Sequence, residues 1–221
     1  MTLRLQLITA AICMSATYIM AEEDWHMQSL GFHIGGIENV VTIDPRGTYE
    51  QFESGSDAEL ILAYSTALDS KRDLEFRLSQ VTTSGAQYNQ TGSGNEGNYL
   101  DIAVDCKYLR MLYKYRFNAD RGMFVPWLGV GPNIGLIEIT EQEVMNTPYG
   151  SIAKESQKRV STLFGVDVYA GFDMYFTKDS ALALSISGRY NYDMINGPLE
   201  GDVNSAAFIF GIKWDFDQRR E

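Results

Sequence analysis

The side chains best suited to catalysis in this sequence are its two histidines, His26 and His33. Serine-type hydrolysis uses a histidine base beside a nucleophile, with a third group that orients the base. Ser65 and Asp173 are the candidate partners of His33. Nothing in the sequence brings either within hydrogen-bond distance of the imidazole, and a single inward histidine is more often a structural polar residue. We therefore expect no catalytic residues and no enzymatic activity.

Two pairs of aspartates could act as acid and base or hold a metal ion. They are Asp101 with Asp105 and Asp167 with Asp173, at spacings of four and six residues. In an extended strand, at ~3.3 Å per residue, these spacings separate the carboxylates by ~13 to 20 Å, too far to share a proton or an ion. Cys106 is the only cysteine after residue 21, which excludes a cysteine-based metal site in the mature chain. The sequence predicts no metal and no cofactor.

The overall charge argues against a nucleic-acid partner. The chain has 221 residues and a formal net charge of -11. Affinity for a phosphate backbone requires a basic surface, and the sequence has no basic cluster. Its length is appropriate to one domain or one small barrel.

Residues 1–21 have the organisation of a secretory signal peptide. Arg4 supplies the positive start, residues 5–20 are mostly apolar, and Ala21 precedes an acidic run at the expected cleavage point. The alternative is a transmembrane anchor, but sixteen residues that include Gln6 and Thr9 are short and polar for a membrane span. We predict export and cleavage, with residues 22–28 as a polar leader.

The elements that would position these side chains are β-strands, and the clearest is Val160 to Phe176. Its even-numbered residues are apolar apart from Thr162, and its odd-numbered residues are mostly small, polar or charged. This alternation of period two is typical of a strand with one apolar face. At ~3.3 Å per residue the segment extends ~56 Å, far beyond an ordinary strand. A strand that crosses a membrane and continues into water has such a length.

Seven further segments alternate in the same way, so the sequence predicts eight strands. The predicted strands begin near Leu30, Leu60, Leu74, Leu100, Phe124, Val160, Leu182 and Ala206. Tight turns at 69–73, 118–122 and 178–180 alternate with long polar connections at 41–57, 81–98, 138–157 and 193–204. Alternating short and long connections are typical of an outer-membrane barrel, with the long loops on one side.

One predicted strand departs from simple alternation. Leu100, Ile102 and Val104 are apolar at even numbers, whereas from Leu109 to Phe117 the apolar residues are odd-numbered. A slip of one residue near 106–108 would keep both sets on the outside, and a β-bulge is the usual cause of such a slip. This interpretation directs Asp101 and Asp105 inward.

Side-chain size decides which face of the predicted barrel is outside. An eight-stranded barrel has an interior just wide enough to be filled by side chains. Phe164, Phe172 and Phe210 would overfill it, so we predict that the apolar set faces lipid. Aromatic residues near both strand ends would form the girdles at the two lipid–water interfaces. They are Tyr113, Tyr115, Phe117, Phe124, Tyr175, Phe176, Trp214 and Phe216 at the short turns, and Tyr99, Tyr190 and Tyr192 at the loops.

The predicted inner face carries charges of both signs in near balance. Because buried charges need partners, this set predicts an ion-pair plug in the lumen rather than a charge-selective pore. The predicted acidic members are Glu59, Glu75, Asp101, Asp105, Asp167, Asp173 and Asp215, and the basic members are Arg77, Arg110, Lys114, Arg116, Arg189 and Lys213. Arg116 and Asp215 lie close enough to the rim to contact water instead.

The order of these segments resembles the eight-stranded outer-membrane β-barrel family of the OmpA and OmpX type. The resemblance covers residues 29–216 and is carried by 30–36 (LGFHIGG), 125–131 (VPWLGVG), 165–176 and 208–216 (FIFGIKWDF). It implies an all-β fold, an eight-stranded antiparallel up-and-down transmembrane barrel with four long loops and three short turns. It also implies a location in the outer membrane of a Gram-negative-type bacterium, with membrane lipid as a partner.

The last of these segments is similar to the terminal β-signal of the family, in which Phe210, Ile212, Trp214 and Phe216 would carry the signal. That similarity implies recognition by the outer-membrane assembly machinery. Residues 217–221 follow as a short tail, whereas the family usually ends on the aromatic residue.

Three functions remain open on the sequence alone. The first is an integral outer-membrane protein with an envelope-structural or adhesin-like role through surface-exposed loops, whose extracellular ligand the sequence does not identify. The second is a narrow porin-like channel for small solutes. The third is a secreted soluble barrel that binds a ligand.

Overall fold

The described chain consists of β-strands joined in one antiparallel sheet. The computed structural model describes residues 28–41, 56–88, 99–117, 123–147, 149–177, 180–196 and 202–216. The strands are β1 (Gln28–Val41), β2 (Ser56–Ala67), β3 (Arg72–Tyr88), β4 (Tyr99–Arg116), β5 (Phe124–Thr147), β6 (Gly150–Ala153), β7 (Gln157–Tyr175), β8 (Leu182–Asn196) and β9 (Asp202–Phe216). Within these ranges no helix is long and apolar enough to cross a membrane. The predicted signal peptide and the tail lie outside the described residues.

The sheet closes on itself to form a barrel. Its strand order is β4-β3-β2-β1-β9-β8-β7-β5, and a further pairing of β4 with β5 closes the ring. The first and last strands are neighbours, with Gln28 opposite Phe216 and Phe32 opposite Ile212. The prediction of an all-β, eight-stranded antiparallel up-and-down barrel is therefore confirmed. β6 is a ninth strand that the sequence analysis did not predict, and in the described part of the chain it pairs with β5 alone.

The two ends of the barrel differ in their connections. Connections of four to seven residues follow β2, β4 and β7 at one end, here called the turn end, where β1 also begins and β9 ends. The predicted turn at 118–122 and residues 178–179 of the third turn lie outside the described residues. In the connection after β2, Asp69 accepts hydrogen bonds from the backbone N–H groups of Lys71 and Arg72, both at 2.8 Å. This is the local bonding by which aspartate stabilises turns. The opposite end, here called the loop end, carries the two longest connections, 42–55 and 89–98, whereas only residues 197–201 separate β8 from β9.

Strand length is uneven around the barrel. β5 has 24 residues and β7 has 19, whereas β2 has 12 and β1 has 14. One side of the wall therefore rises at the loop end, and we call the raised parts of β3, β4, β5 and β7, together with β6, the protruding sheet. The predicted loops at 81–98 and 138–157 are in part strands of this sheet, and the predicted loop at 193–204 is shortened because β8 continues to Asn196 and β9 begins at Asp202. Their polar residues led to a loop prediction because a strand with water on its outer side needs no outward apolar residues.

The outer wall carries an apolar belt next to the turn end. Its side chains are between 41 and 64 % exposed, and this surface fits contact with hydrocarbon rather than water. The belt contains Leu30, Phe32, Ile34, Leu60, Leu62, Met111, Leu128, Val130, Ile134, Leu136, Phe164, Val166, Val168, Met174, Phe208, Phe210 and Ile212. Most of the predicted girdle aromatics also face outward. Tyr175 does not: its side chain is buried in the lumen and its hydroxyl donates to Asp215 Oδ2 at 2.7 Å.

Strand β4 is regular, and the predicted β-bulge is wrong. Its register against β3 and against β5 runs without a slip, and its even-numbered residues face inward along its whole length. The polarity of the two faces changes instead. Near the turn end the outside is apolar and the inside charged, whereas above the belt Ile102 and Val104 face inward and Asp101 and Asp105 face outward. The strand leaves lipid for water at this point, so the outward side chains become polar.

Candidate functional site

The lumen near the turn end is filled by charged side chains from β3, β4, β7 and β9. We call Glu75, Arg77, Lys114, Asp173, Lys213 and Asp215 the lower cluster. Glu75 pairs with Lys114 Nζ at 2.9 Å and with Arg77 Nε at 2.6 Å. Lys213 Nζ lies 3.0 Å from Asp173 and 3.5 Å from Asp215. Each charge thus has an oppositely charged partner, as buried ions require.

Trp127 fills the centre of this cluster and was not assigned to the lumen by the sequence analysis. Its indole is 1 % exposed and donates through Nε1 to Asp173 Oδ1 at 3.1 Å. The Lys114 ammonium lies 3.9 Å from the ring centroid, a cation–π contact. Gly171 makes room for the ring, because a Cβ there would lie 2.9 Å from Trp127. Large aromatic side chains therefore fit inside this barrel where the neighbouring wall positions are glycine.

A second group of charges lies higher in the lumen. We call Glu59, Arg110, Asp167, Arg189, Asn191, Asp193 and Asn133 the upper cluster. Arg189 Nη1 lies 2.8 and 2.6 Å from the two oxygens of Glu59, and Arg110 Nη1 lies 2.8 Å from Glu59 Oε1. Arg110 Nε lies 3.1 Å from Asp167. The Glu59 carboxylate thus forms ion pairs with two guanidinium groups, one from β4 and one from β8.

The loop end of the lumen is closed by apolar side chains. Six residues on β4, β5 and β7, here called the apolar cap, pack with Ile37, Ile61 and Ile209 in one buried cluster. They are Leu100, Ile102, Val104, Ile137, Ile139 and Leu163, each no more than 8 % exposed. Because the protruding sheet has water outside, its inner face forms an apolar core as in a soluble protein. From the turn end upward, the lumen therefore contains the lower cluster, the upper cluster and the apolar cap.

The predicted lumen charges fall into two classes. Glu59, Glu75, Arg77, Arg110, Asp167, Asp173, Arg189 and Lys213, with Lys114, Arg116 and Asp215, lie inside. The inward prediction for Asp101 and Asp105 is wrong, because both project from the outer wall above the belt. The sequence analysis missed two inward carboxylates, Asp73 and Asp193. Their signal was present, since each continues the alternation by one inward position, beyond Glu75 and Asn191 respectively.

His33 lies inside the lumen at 3 % exposure, beside a small polar recess lined also by Glu75 and Lys114. Ser65 lines the same recess, but its hydroxyl is hydrogen-bonded to that of Ser29. Asp173 is engaged by Lys213, by Trp127 and by the Ser185 hydroxyl at 2.8 Å. The two candidate partners of His33 are therefore both engaged elsewhere, and the expectation of a structural histidine stays a prediction.

The outer face of the protruding sheet carries ion pairs in place of apolar residues. Asp105 accepts hydrogen bonds from Gln80 at 3.0 Å and from Thr82 at 3.3 Å, and pairs with Lys107 at 2.7 Å. Lys158 pairs with Glu138 at 2.6 Å. Such exposed pairs add little stability, but they mark a surface that is solvated.

The highest point of the described wall is a hairpin between β5 and β6. Gly150 has a φ of 131°, which side-chain-bearing residues rarely adopt, so glycine permits this turn. Thr147 donates to the Gly150 carbonyl at 2.6 Å and thereby fixes the turn. Tyr149 is 100 % exposed and Ile152 is 54 % exposed. Two large apolar side chains therefore project from the tip, far above the belt.

Comparison with known proteins identifies the fold of this chain through solved structures. No family model and no curated protein matches the chain. Among solved structures, the chain is similar to Neisserial surface protein A, with 14 % identity over 86 % of this chain and 97 % of that one and a TM-score of 0.54. It is also similar to OprG of Pseudomonas aeruginosa, with 14 % identity over 89 % and 98 % of the two chains and a TM-score of 0.53. The chain has the outer-membrane β-barrel fold.

The fold indicates which part of the outer wall faces lipid and which parts face water. An outer-membrane β-barrel presents its apolar belt to lipid, with tight turns on the periplasmic side and longer loops outside. The belt and the girdle residues of this chain match that arrangement. The four residues of the predicted β-signal, Phe210, Ile212, Trp214 and Phe216, lie on the outward face of β9. Their recognition by the assembly machinery stays a prediction.

Proposed function

We propose that this chain is an integral outer-membrane protein that acts at the cell surface through the tip of its protruding sheet, while its lumen stays sealed. The observation that carries the proposal is the exposed pair Tyr149 and Ile152 at the end of the hairpin formed by β5 and β6. Solvent-exposed tyrosine and aliphatic side chains at a rigid tip are typical anchors of a protein–protein contact. The partner is therefore a surface with an apolar pocket, outside the cell.

Rigidity of the tip supports this function. β5 is paired on both sides over most of its length, with β4 up to Val144 and with β7 and then β6 on the other side. Lys154 also pairs with Glu143 at 2.8 Å across the base of the hairpin. A preordered tip loses little conformational freedom on binding, which favours affinity. We propose no enzymatic role, no cofactor and no nucleic-acid partner.

The first test is adhesion of whole cells. Cells that carry the wild-type protein are expected to adhere to an epithelial monolayer several-fold more than cells without it. The double variant Tyr149→Ser with Ile152→Ser is expected to lose this gain, because both apolar anchors are removed from exposed positions where folding does not need them. Counting adherent cells gives the measurement.

The matched control is Ser151→Ala, which alters the exposed residue between the two anchors. All three proteins must be recovered in the envelope fraction with equal amounts of the band that shifts on boiling in a detergent gel. Equal adhesion of the wild type and the double variant would contradict the role of the tip. Recovery of the wild type in osmotic-shock fluid would instead support a soluble barrel.

A sealed lumen predicts the absence of steady conduction. Purified wild-type protein in planar bilayers is expected to give no stable single-channel openings, because the lower cluster, the upper cluster and the apolar cap fill the lumen in series. Trp127 is 1 % exposed and Arg110 and Glu59 are 0 % exposed, so packed side chains at these levels support a closed lumen. A reconstituted porin provides the positive control. Stable openings from the wild type would favour the narrow channel instead.

A further inference from the structure

One phenylalanine projects from the apolar belt further than any other side chain of that belt. Phe208 on β9 is 64 % exposed, whereas Phe210 on the same strand is 48 % exposed and Phe164 on β7 is 43 % exposed. The difference comes from the flanking positions, because Phe208 lies between Gly36 of β1 and Gly188 of β8. A Cβ at either glycine would meet no atom within 4 Å, so the space on each side of the Phe208 ring is open.

Small residues extend this open space across the outer wall. Ala58 of β2 lies beyond Gly36, Ala170 of β7 lies beyond Gly188, and Ala206 is the next outward residue of β9 toward the loop end. We call these five residues and Phe208 the Phe208 patch. A single ring that stands on a floor of glycine and alanine is complementary to a second copy of itself, since the ring of each copy fits the floor of the other. In lipid, close packing over small residues is what favours association between membrane-spanning segments.

The strand order makes this complementarity compatible with two-fold symmetry. In a closed dimer of two identical subunits, the same patch contacts itself across a two-fold axis. Because both copies cross the membrane in the same direction, that axis runs along the membrane normal. An axis beside Phe208 places β1 of one copy opposite β8 of the other, since these strands lie on either side of β9. The two Phe208 rings then pack side by side, and each covers a glycine of the other copy.

Polar groups above the patch match in the same orientation. Glu38 is the next outward residue of β1 above Gly36; it is exposed and has no ion-pair or hydrogen-bond partner in the described part of the chain. On β8, Tyr190 and Tyr192 face outward above Gly188. With β1 opposite β8, the Glu38 carboxylate of each copy faces the tyrosine hydroxyls of the other, and a phenol O–H donates a strong hydrogen bond to a carboxylate.

We propose that this chain forms a two-fold dimer in the outer membrane through the Phe208 patch, with a second copy of the chain as the occupant. The hairpin of β5 and β6 lies on the other side of the barrel, so the dimer presents two free tips to the outside. The proposal does not depend on what the tip binds. The competing occupant of the patch is lipid, whose acyl chains would fill the space beside Phe208 and leave the chain monomeric.

Cysteine cross-linking in outer membranes that contain the full chain tests the dimer. Ala206→Cys places a thiol beside the two-fold axis, and oxidation with copper phenanthroline is expected to give a disulfide-linked band of twice the monomer mass. Met111→Cys places a thiol in the belt on β4, four strands away from β9, and is expected to give only the yield of random collisions. The wild type, whose Cys106 is buried in the lumen, gives the baseline. Equal dimer yields from the two cysteine variants would overturn the proposal and assign the patch to lipid.

Removal of the ring separates a packed dimer from a general attraction between belts. In the Ala206→Cys chain, Phe208→Ala is expected to lower the dimer yield about tenfold, which corresponds to ~1.4 kcal/mol of association free energy. The matched control is Phe164→Ala, which removes an outward ring that is flanked by the bulky residues Ile134 and Met194. The control is expected to keep the full yield. An equal loss in the two variants would contradict a specific role for the patch.

Filling the floor provides a second test that leaves Phe208 in place. Gly188→Leu puts a side chain into the open space beside the ring and is expected to lower the dimer yield by a similar factor, because the second copy no longer fits. Each variant must show the band that shifts on boiling, which reports a folded barrel. An undiminished dimer yield in folded Gly188→Leu or in folded Phe208→Ala would overturn the proposed interface.

Discussion

Replacement of Glu59 by glutamine is expected to lower the free energy of unfolding by about 3 to 5 kcal/mol. Glu59 is 0 % exposed and accepts hydrogen bonds from Arg110 and Arg189, whose pairing guanidinium nitrogens lie 2.6 to 2.8 Å from its oxygens. Without its charge, two buried guanidinium groups face each other with less compensation. Urea titration of the refolded protein, followed by tryptophan fluorescence, measures the loss.

Asp105→Asn provides the matched control for Glu59→Gln. Asp105 also pairs with a cation and accepts hydrogen bonds, but its side chain is 23 % exposed on the outer wall and its partner Lys107 is 29 % exposed. Exposed pairs of this kind contribute only about 0 to 1 kcal/mol. A loss at Glu59 no larger than the loss at Asp105 would show that the upper cluster is not a dry network.

Arginine at Val168 is expected to destabilise the folded barrel by about 2 to 4 kcal/mol in a lipid bilayer. Val168 lies in the middle of the apolar belt on β7, is 51 % exposed and stands between the outward residues Val130 and Tyr190 of the adjacent strands. A charge there must enter hydrocarbon or distort the bilayer. Reversible unfolding from liposomes in guanidinium chloride measures the change.

Arginine at Ala103 is the control that locates the upper edge of the belt. Ala103 is exposed on the outer wall of β4, between Asp101 and Asp105, so its replacement is expected to cost only about 0 to 1 kcal/mol. The rejected β-bulge would have placed residue 103 inside the lumen, where arginine would prevent folding. Equal losses at Val168 and Ala103 would contradict the position of the belt.

The ion pairs of the lumen illustrate a limit of sequence reasoning. Alternation identified Glu59, Arg110 and Arg189 as inward residues, but not as partners. Glu59 and Arg189 are 130 residues apart in sequence and meet because ring closure through β1 and β9 brings β2 within three strands of β8, so that long inward side chains reach each other across the lumen. Trp127 was missed for the same reason, since space for its indole depends on Gly171 of a different strand.

The sequence by itself determined the eight strands of the barrel, the turn between β2 and β3 and the face that meets lipid within the belt, because these follow from local alternation and turn chemistry. Only the tertiary structure decided where the belt ends. At Asp101 and Asp105 the same residues of β4 still face outward, but the outward residues are polar and the inward residues apolar. The reason is that the outside of the strand passes from hydrocarbon into water at this height. A periodic pattern predicts which residues share one face of a strand. Whether that face contacts lipid or water depends on how far the strand and its neighbours extend beyond the membrane.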